Sequence, residues 1–305
     1  MNLMRKQLRT HVFAETVSLF LAMLVSGSFL AELANPRERN PQHDPGSPFV
    51  RPSAVAVVDA EAVDAEGASS GGPAIPPGTI LPVRLNRAIS SAKSRPGQVI
   101  TARIMQDVPL SRGVRIRAGT KVIGHIVERI PTSAGARASI SFQFDKLVSS
   151  HQTTSITTNL RAIAGFMQIM EAQIPPIGPG ESDVYRWLTT VQVGGDVVYG
   201  EGGPVTTGDN PNQIVGKHVN GGVLGQVRAK QGRNCRGAID GNDRPQALWV
   251  FSSDACGTYG LQNISIAHAG RSDPIGVIVL SSDSGNFKIA GGAGLLLRVN
   301  ANPRN

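Results

Sequence analysis

The sequence of 305 residues has few aromatic side chains. Trp, Tyr and Phe make up 5% of it, against 35 Gly and 20 Pro. This balance indicates many turns and short strands, and it argues against long helices. The hydrophobic content of 40% is sufficient for buried cores, and the length favours two ordinary domains.

Cysteine is also scarce, with Cys235 and Cys256 as the only two. Two cysteines cannot supply a tetrahedral zinc set, and no histidine stands at ligand spacing from them, so we predict no metal and no cofactor. An even number of cysteines in an exported chain favours a disulfide. We therefore predict a bond between Cys235 and Cys256.

A long hydrophobic run is absent from the N-terminal region. Basic residues at positions 5, 6 and 9 precede an apolar run, Val17 to Val25, and small residues follow it. The run is shorter than the roughly 20 residues that a membrane span needs, so residues 1–28 read as a signal peptide. An uncleaved anchor remains an alternative because apolar residues return at Phe29 to Ala31. We expect an exported protein of the periplasm or outer envelope.

Residues 29–74 lack a sustained period and contain repeated prolines and a run rich in Ala, Val, Asp and Glu. This composition predicts a disordered tether. The alternative is that Ala54 to Val58 adds a strand to a sheet edge.

Residues 75–173 have strand periodicity. Ile140, Phe142 and Phe144 alternate with polar residues, which predicts a strand with one buried and one solvent-exposed face. Similar alternation predicts strands at Ile80–Leu85, Val99–Met105, Val122–Val127 and Ser155–Ala162. We predict a small basic β-barrel over residues 75–173.

Three prolines and two glycines between Ile174 and Gly180 interrupt regular structure, so we predict a linker at 174–184 and a second, sandwich-like domain at 185–305. The fold class expected is thus mainly β, with two small β-barrel or β-sandwich domains after a signal peptide and a tether. The strands expected in the second domain are Val191–Tyr199, Val223–Ala229, Ala247–Ser252, Asn263–Ala267, Val277–Ser281 and Leu295–Val299.

The predicted domain at residues 75–173 contains three short motifs. The first is Ile75-Pro76-Pro77-Gly78-Thr79, the second combines Pro96-Gly97 with Gln106-Asp107-Val108, and the third runs from Arg117 to Gly124. With them, residues 75–147 resemble the C-terminal β-barrel domain of TrbI-type conjugal-transfer proteins, which are channel components of type IV secretion systems. The resemblance implies a barrel in the cell envelope. The later half of the chain resembles uncharacterised secreted bacterial proteins.

Positive charge is concentrated in one stretch. Residues 84–137 hold eleven Lys or Arg and two acidic residues, a net +9, whereas the whole chain carries +8. Such a field attracts polyanions. We predict a polyanion-binding surface at Arg112, Arg115, Arg117 and Lys121. A merely solvated positive face is the alternative, because this stretch has no aromatic side chains that could stack on bases.

No catalytic set is evident in the sequence. We therefore expect a non-catalytic structural or assembly module of the envelope, whose partners are envelope proteins or a polyanionic surface such as lipopolysaccharide, anionic lipid or DNA in transit. The sequence is compatible with an oligomer. The alternative function is a periplasmic hydrolase with His268 and Asp254 or Asp273 at the domain interface, since a basic histidine needs an orienting carboxylate.

Overall fold

The computed structural model describes residues 75–133, 137–150, 152–173, 189–200, 202–228, 244–267 and 275–301. All of these belong to one compact unit, residues 66–305. The predicted signal peptide, the tether and the linker at 174–184 lie outside the described residues, so these three remain predictions.

The described chain is mainly β, as predicted, with two short helices: a 3-10 helix, Ser111–Gly113, and α1, Phe166–Glu171. The strands, in chain order, are β1 (Ile80–Leu85), β2 (Ile89–Ser90), β3 (Val99–Ile104), β4 (Val108–Pro109), β5 (Arg115–Ile116), β6 (Lys121–Ile130), β7 (Ala138–Val148), β8 (Thr153–Ser155), β9 (Thr158–Ala164), β10 (Thr189–Val191), β11 (Val197–Tyr199), β12 (Pro204–Thr207), β13 (Asn210–Val219), β14 (Gly222–Gly225), β15 (Gln246–Ala247), β16 (Gly257–Tyr259), β17 (Ile264–Ile266), β18 (Ile278–Ser282), β19 (Lys288–Ile289) and β20 (Gly294–Val299).

Ten of these strands form a nearly closed, barrel-like sheet. Its order is β16-β9-β20-β1-β3-β6-β7-β18-β17, with β8 paired to β7. The two end strands approach each other, and the hydroxyl of Thr258 donates to the carbonyl of Ile264 at 3.1 Å. Alternate residues of the strands point inward, as the period of two requires. Val83, Ile104 and Phe142 belong to the buried cluster that fills the interior.

Strands β10 to β15 form a second, antiparallel sheet of six strands. Its apolar residues pack against the outer face of the barrel-like sheet, where Ile80, Ala162 and Leu296 join Val198 and Val205 in one cluster. Strands β20 and β9 and most of β1 are therefore covered on both faces, and Arg84 near the end of β1 stays exposed. This explains why the run Leu295 to Leu297 has no polar alternation, as a strand buried on both sides requires.

Buried polar side chains connect the two sheets. Gln106 accepts a hydrogen bond from the backbone N–H of Trp249 at 2.6 Å and donates to the carbonyl of Val223 at 3.0 Å. Gln246 accepts from the N–H of Ile80 at 3.0 Å. Each bond satisfies a backbone N–H or C=O group that is buried away from water. Because these groups need their partners, the bonds fix the position of one sheet against the other.

Most predicted strands are present, but two differ. The stretch Val191–Tyr199 is two strands, β10 and β11, because the chain reverses at Gly194 and Gly195, which both have positive φ. The stretch Ala247–Ser252 is buried as expected but is a strand only at β15. Trp249 then adopts φ 51°, a left-handed conformation that ends the strand.

The strand pairing differs from the predicted division into consecutive domains at 75–173 and 185–305. Strand β20 lies between β1 and β9, and β18 pairs with β7, so strands from both sides of residues 174–184 share the barrel-like sheet. The apolar runs Val277–Ser281 and Leu295–Val299 complete the first core instead of building a second one. Repetition of strand signals alone did not indicate which sheet each strand joins.

Candidate anion-binding groove

Three cationic residues lie directly opposite one another on adjacent strands. Arg84 on β1 is the register partner of Arg103 on β3, and Arg103 is the partner of Lys121 on β6. Opposed residues share a face of a sheet, with Cβ atoms about 4.5–5.5 Å apart. All three are exposed on the outer face. We call Arg84, Arg103 and Lys121 the cationic row.

No carboxylate among the described residues lies within 4.0 Å of a charged nitrogen of the cationic row. The guanidinium of Arg103 donates only to the carbonyl of Gly119, at 3.4 Å. Like charges that are directly opposite each other in a sheet destabilise it. The row therefore adds a repulsive term to the free energy of folding that no described side chain offsets.

Two more arginines are held beside the row by one carboxylate. The Asp107 carboxylate lies 3.2 Å from the Arg115 guanidinium and 3.7 Å from that of Arg117. It also accepts the backbone N–H of Ala118 at 2.8 Å. Asp107 thus orients both arginines while neutralising only one positive charge.

A groove of about 570 Å³ lies between the β4–β5 hairpin and the ends of β6, β7 and β8. Its cationic lining residues within the described ranges are Arg103, Arg115, Arg117 and Lys121, and none of the described lining residues is acidic. Four cations against the neighbouring carboxylate of Asp107 leave a net charge of +3. The rest of the lining is mixed. Its apolar side chains are Ile75, Leu110, Val114, Ile116, Ala118, Leu147 and Val148, and its polar ones are Thr120, Ser149, Ser150, Gln152 and Thr154.

Three of the four predicted binding residues, Arg115, Arg117 and Lys121, come together in this groove. Arg112 lies in the 3-10 helix next to it, but its side chain is outside the described residues. Sequence reasoning missed Arg84 and Arg103. Each lies between inward-facing apolar residues, so the sequence predicts that both face outward. Their alignment depends on how β1, β3 and β6 pair, and periodicity does not specify that register.

A different cation, Arg161, is buried at the junction of the two sheets and is 2% exposed. It lies at a register shift between β9 and β20, where a bulge turns its side chain away from the regular alternation. Its guanidinium donates to the carbonyl of Ala255 at 3.0 Å and to that of Arg228. Buried charges require such partners because desolvation is costly.

Acidic and phenolic groups surround Arg161. Arg228 pairs with Asp254 at 3.3 Å, and Asp196 accepts the backbone N–H of Ser253 at 2.6 Å. Burial raises the pKa of Asp196 above its ordinary value, and the Ser253 hydrogen bond lowers it by less. Burial likewise raises the pKa of Tyr259, whose hydroxyl accepts the N–H of Cys256 at 3.1 Å. This cluster belongs to the packing between the sheets.

The residues of the hydrolase alternative are only partly described. Asp254 is engaged by Arg228, whereas His268 and Asp273 lie outside the described residues. The described histidine with an orienting carboxylate is His125, 3.0 Å from Asp145 on the outer face of β6 and β7. In the described ranges no group of three or more His, Cys, Asp or Glu is placed to hold a metal ion.

No described cysteine is free, and Cys256 contacts the barrel core. Cys235 lies outside the described residues, so its pairing with Cys256 remains a prediction. None of the described helices has the length and apolar character that crossing a membrane would need.

Comparison with protein-family models, with curated proteins and with solved structures finds no match to this chain. The resemblance of residues 75–147 to TrbI-type proteins therefore stays a prediction. In the structure, the Gln106-Asp107-Val108 motif has separate roles: Gln106 joins the two sheets, Asp107 orients the groove arginines, and Val108 is buried in the barrel core.

Proposed function

We propose that this protein is a non-catalytic, exported module of the cell envelope that binds polyanions through the groove. The observation that carries the proposal is the cationic row, of which Arg103 and Lys121 line the groove while Arg84 lies opposite Arg103 on β1. Three aligned cations with no carboxylate partner among the described residues weaken the isolated fold, and an anionic ligand placed along them would relieve the repulsion. The groove arginines Arg115 and Arg117, held by Asp107, extend the same field.

The export part of the proposal rests on the predicted signal peptide and tether. An envelope location would bring the groove close to lipopolysaccharide, anionic lipid, DNA in transit or envelope proteins with acidic surfaces. Cell fractionation with N-terminal sequencing tests this part. Recovery in the cytosol with residues 1–28 intact would contradict it.

The binding part is tested with a short DNA duplex as a generic polyanion and the full-length protein. Affinity should fall steeply with added salt because phosphate contacts release counterions. The variants Arg103→Gln and Lys121→Gln should each weaken binding and reduce the slope of log K against log salt by about 1. Lys217→Gln removes an exposed lysine on the six-stranded sheet and serves as the control.

Two results would contradict polyanion binding at the groove. One is an affinity that stays constant between low and moderate salt. The other is an equal loss in Lys217→Gln and Arg103→Gln, which would indicate a diffuse response to net charge instead of a site.

A further inference from the structure

Among the described residues, the groove lining combines four cations with seven apolar side chains, a mixture that an extended polyanion does not require. The apolar members include Val114, which is 41% exposed, next to arginines held in place by Asp107. A groove for a polymeric backbone would need only charge along its length. The apolar lining calls for a ligand that has an apolar part as well.

From this lining we infer that the groove binds single anionic amphiphiles, molecules with a phosphate or similar anionic head and an alkyl or acyl chain. The inference rests on the proposed function, because it specifies the ligand of the same groove. The head would lie on the cations, with arginine guanidinium groups donating to its oxygens. The chain would lie along the apolar lining.

The size of the groove fits one ligand. Its volume of about 570 Å³ lies within the range of sites for individual small molecules, about 300–1,000 Å³. The net charge of +3 matches an anionic head better than a zwitterionic or neutral one.

The lining argues against nucleic acid as the specific ligand. Bases of single strands bind by stacking on aromatic side chains. In the part of the chain that the structure describes, the groove lining includes no Phe, Tyr or Trp. A duplex would contact the cations through its phosphates alone and would leave the apolar lining exposed to water.

The test uses the full-length protein and a series of alkyl phosphates, from butyl to octyl, below the concentrations at which they form micelles. Inorganic phosphate supplies the head without a chain, and octyl glucoside supplies the chain without a charge. Isothermal titration calorimetry gives the affinities. Each methylene buried in the groove should tighten binding by up to about fourfold, which corresponds to about 0.8 kcal/mol.

Two matched variants separate the groove from the rest of the outer face. Val114→Gln places an amide in the apolar lining and should flatten the dependence on chain length. Val99→Gln changes a valine that is 65% exposed on β3 and is outside the lining, so it should leave the chain-length dependence unchanged. Both sites are exposed, and both variants should fold.

The outcomes distinguish this inference from the proposed function. If octyl phosphate binds no more tightly than inorganic phosphate while the duplex still binds in a salt-dependent manner, the amphiphile inference is overturned and polyanion binding stands. Equal binding of octyl glucoside and octyl phosphate also overturns it. If neither octyl phosphate nor the duplex binds, both proposals fail.

Discussion

The outer face of the barrel-like sheet differs between its two halves. Over β9, β20 and most of β1 it is covered by the six-stranded sheet, and the buried cation there, Arg161, donates to two carbonyls. Over β3 and β6 it is open, and Arg103 and Lys121 lie side by side without carboxylate partners among the described residues.

The two halves show that a positive charge can stabilise or destabilise the same fold, depending on its surroundings. Arg161 fulfils a structural need, because the carbonyls of Ala255 and Arg228 would lose a donor without it. In the cationic row, the bond from Arg103 to the exposed carbonyl of Gly119 is long, at 3.4 Å, and the opposed charges raise the free energy of the native state. Removing a cation should therefore have opposite effects on stability in the two halves.

The largest effect is expected from the same substitution made once in each half. Arg161→Met leaves two carbonyls without their donor and should lower the free energy of unfolding by about 2–5 kcal/mol. Arg103→Met, on the open half, should leave it unchanged or raise it. Urea unfolding followed by circular dichroism measures both. Similar losses in the two variants would remove the distinction.

A second substitution tests whether the Gln106 hydrogen bonds stabilise the packing of the six-stranded sheet on the barrel-like sheet. Gln106→Ala removes both hydrogen bonds between Gln106 and the six-stranded sheet and should cost about 2–3 kcal/mol of unfolding free energy. The matched control is Gln98→Ala, whose exposed side chain accepts only the N–H of Arg95 in a turn. If the control lost as much stability, the bonds to Trp249 and Val223 would not be what holds the sheets together.

A smaller effect is expected from the open half alone. Arg103→Gln should raise the free energy of unfolding by about 0.2–1 kcal/mol at low ionic strength, because it removes the middle charge, which is opposite both Arg84 and Lys121. Salt screens exposed charges, so the gain should disappear near 1 M salt, where the Debye length is about 3 Å. Thermal unfolding at several salt concentrations measures it. A loss of stability at every salt concentration would argue that Arg103 has a structural partner.

The smallest effect concerns pH in the covered half. Burial raises the pKa of Asp196, so the native state holds this proton more tightly than the unfolded chain does. Its contribution to stability is therefore greatest in acid and declines as pH rises from 3.8 through the raised pKa. Asp196→Asn keeps an oxygen for the N–H of Ser253 but does not titrate. Relative to the wild type, it should gain stability as pH increases, and unfolding at pH 4 and pH 7 would reveal the trend. A constant difference would contradict it.

Much of the fold could be predicted from periodicity. The alternation around Ile140, Phe142 and Phe144 located β7 and its buried face, and the uninterrupted run Leu295 to Leu297 indicated burial on both sides. Such patterns report the direction of each side chain locally. The long strand β13 was missed because its first five residues are exposed and have no apolar alternation.

The remaining features depend on distant pairing. The burial of Arg161 follows from a bulge against β20, and the cationic row follows from the registers of three strands. Neither is encoded in any short window of sequence, because strand partners far apart in the chain are chosen by the packing of the whole sheet. The charge count for residues 84–137 located the basic region but not the groove.

The pairing of β1 with β20 has a consequence for the order in which the protein folds. These strands come from opposite ends of the described residues, and the backbone N–H of Gly78 donates to the carbonyl of Val299 at 2.8 Å. During synthesis, β1 can pair early with β3 and gains its other neighbour, β20, only after residues 294–299 have been added. Until then one edge of β1 is open to other chains. Contacts this distant in sequence also slow folding. A nascent chain that stops before β20 would therefore expose the unpaired edge of β1, which makes it prone to aggregation.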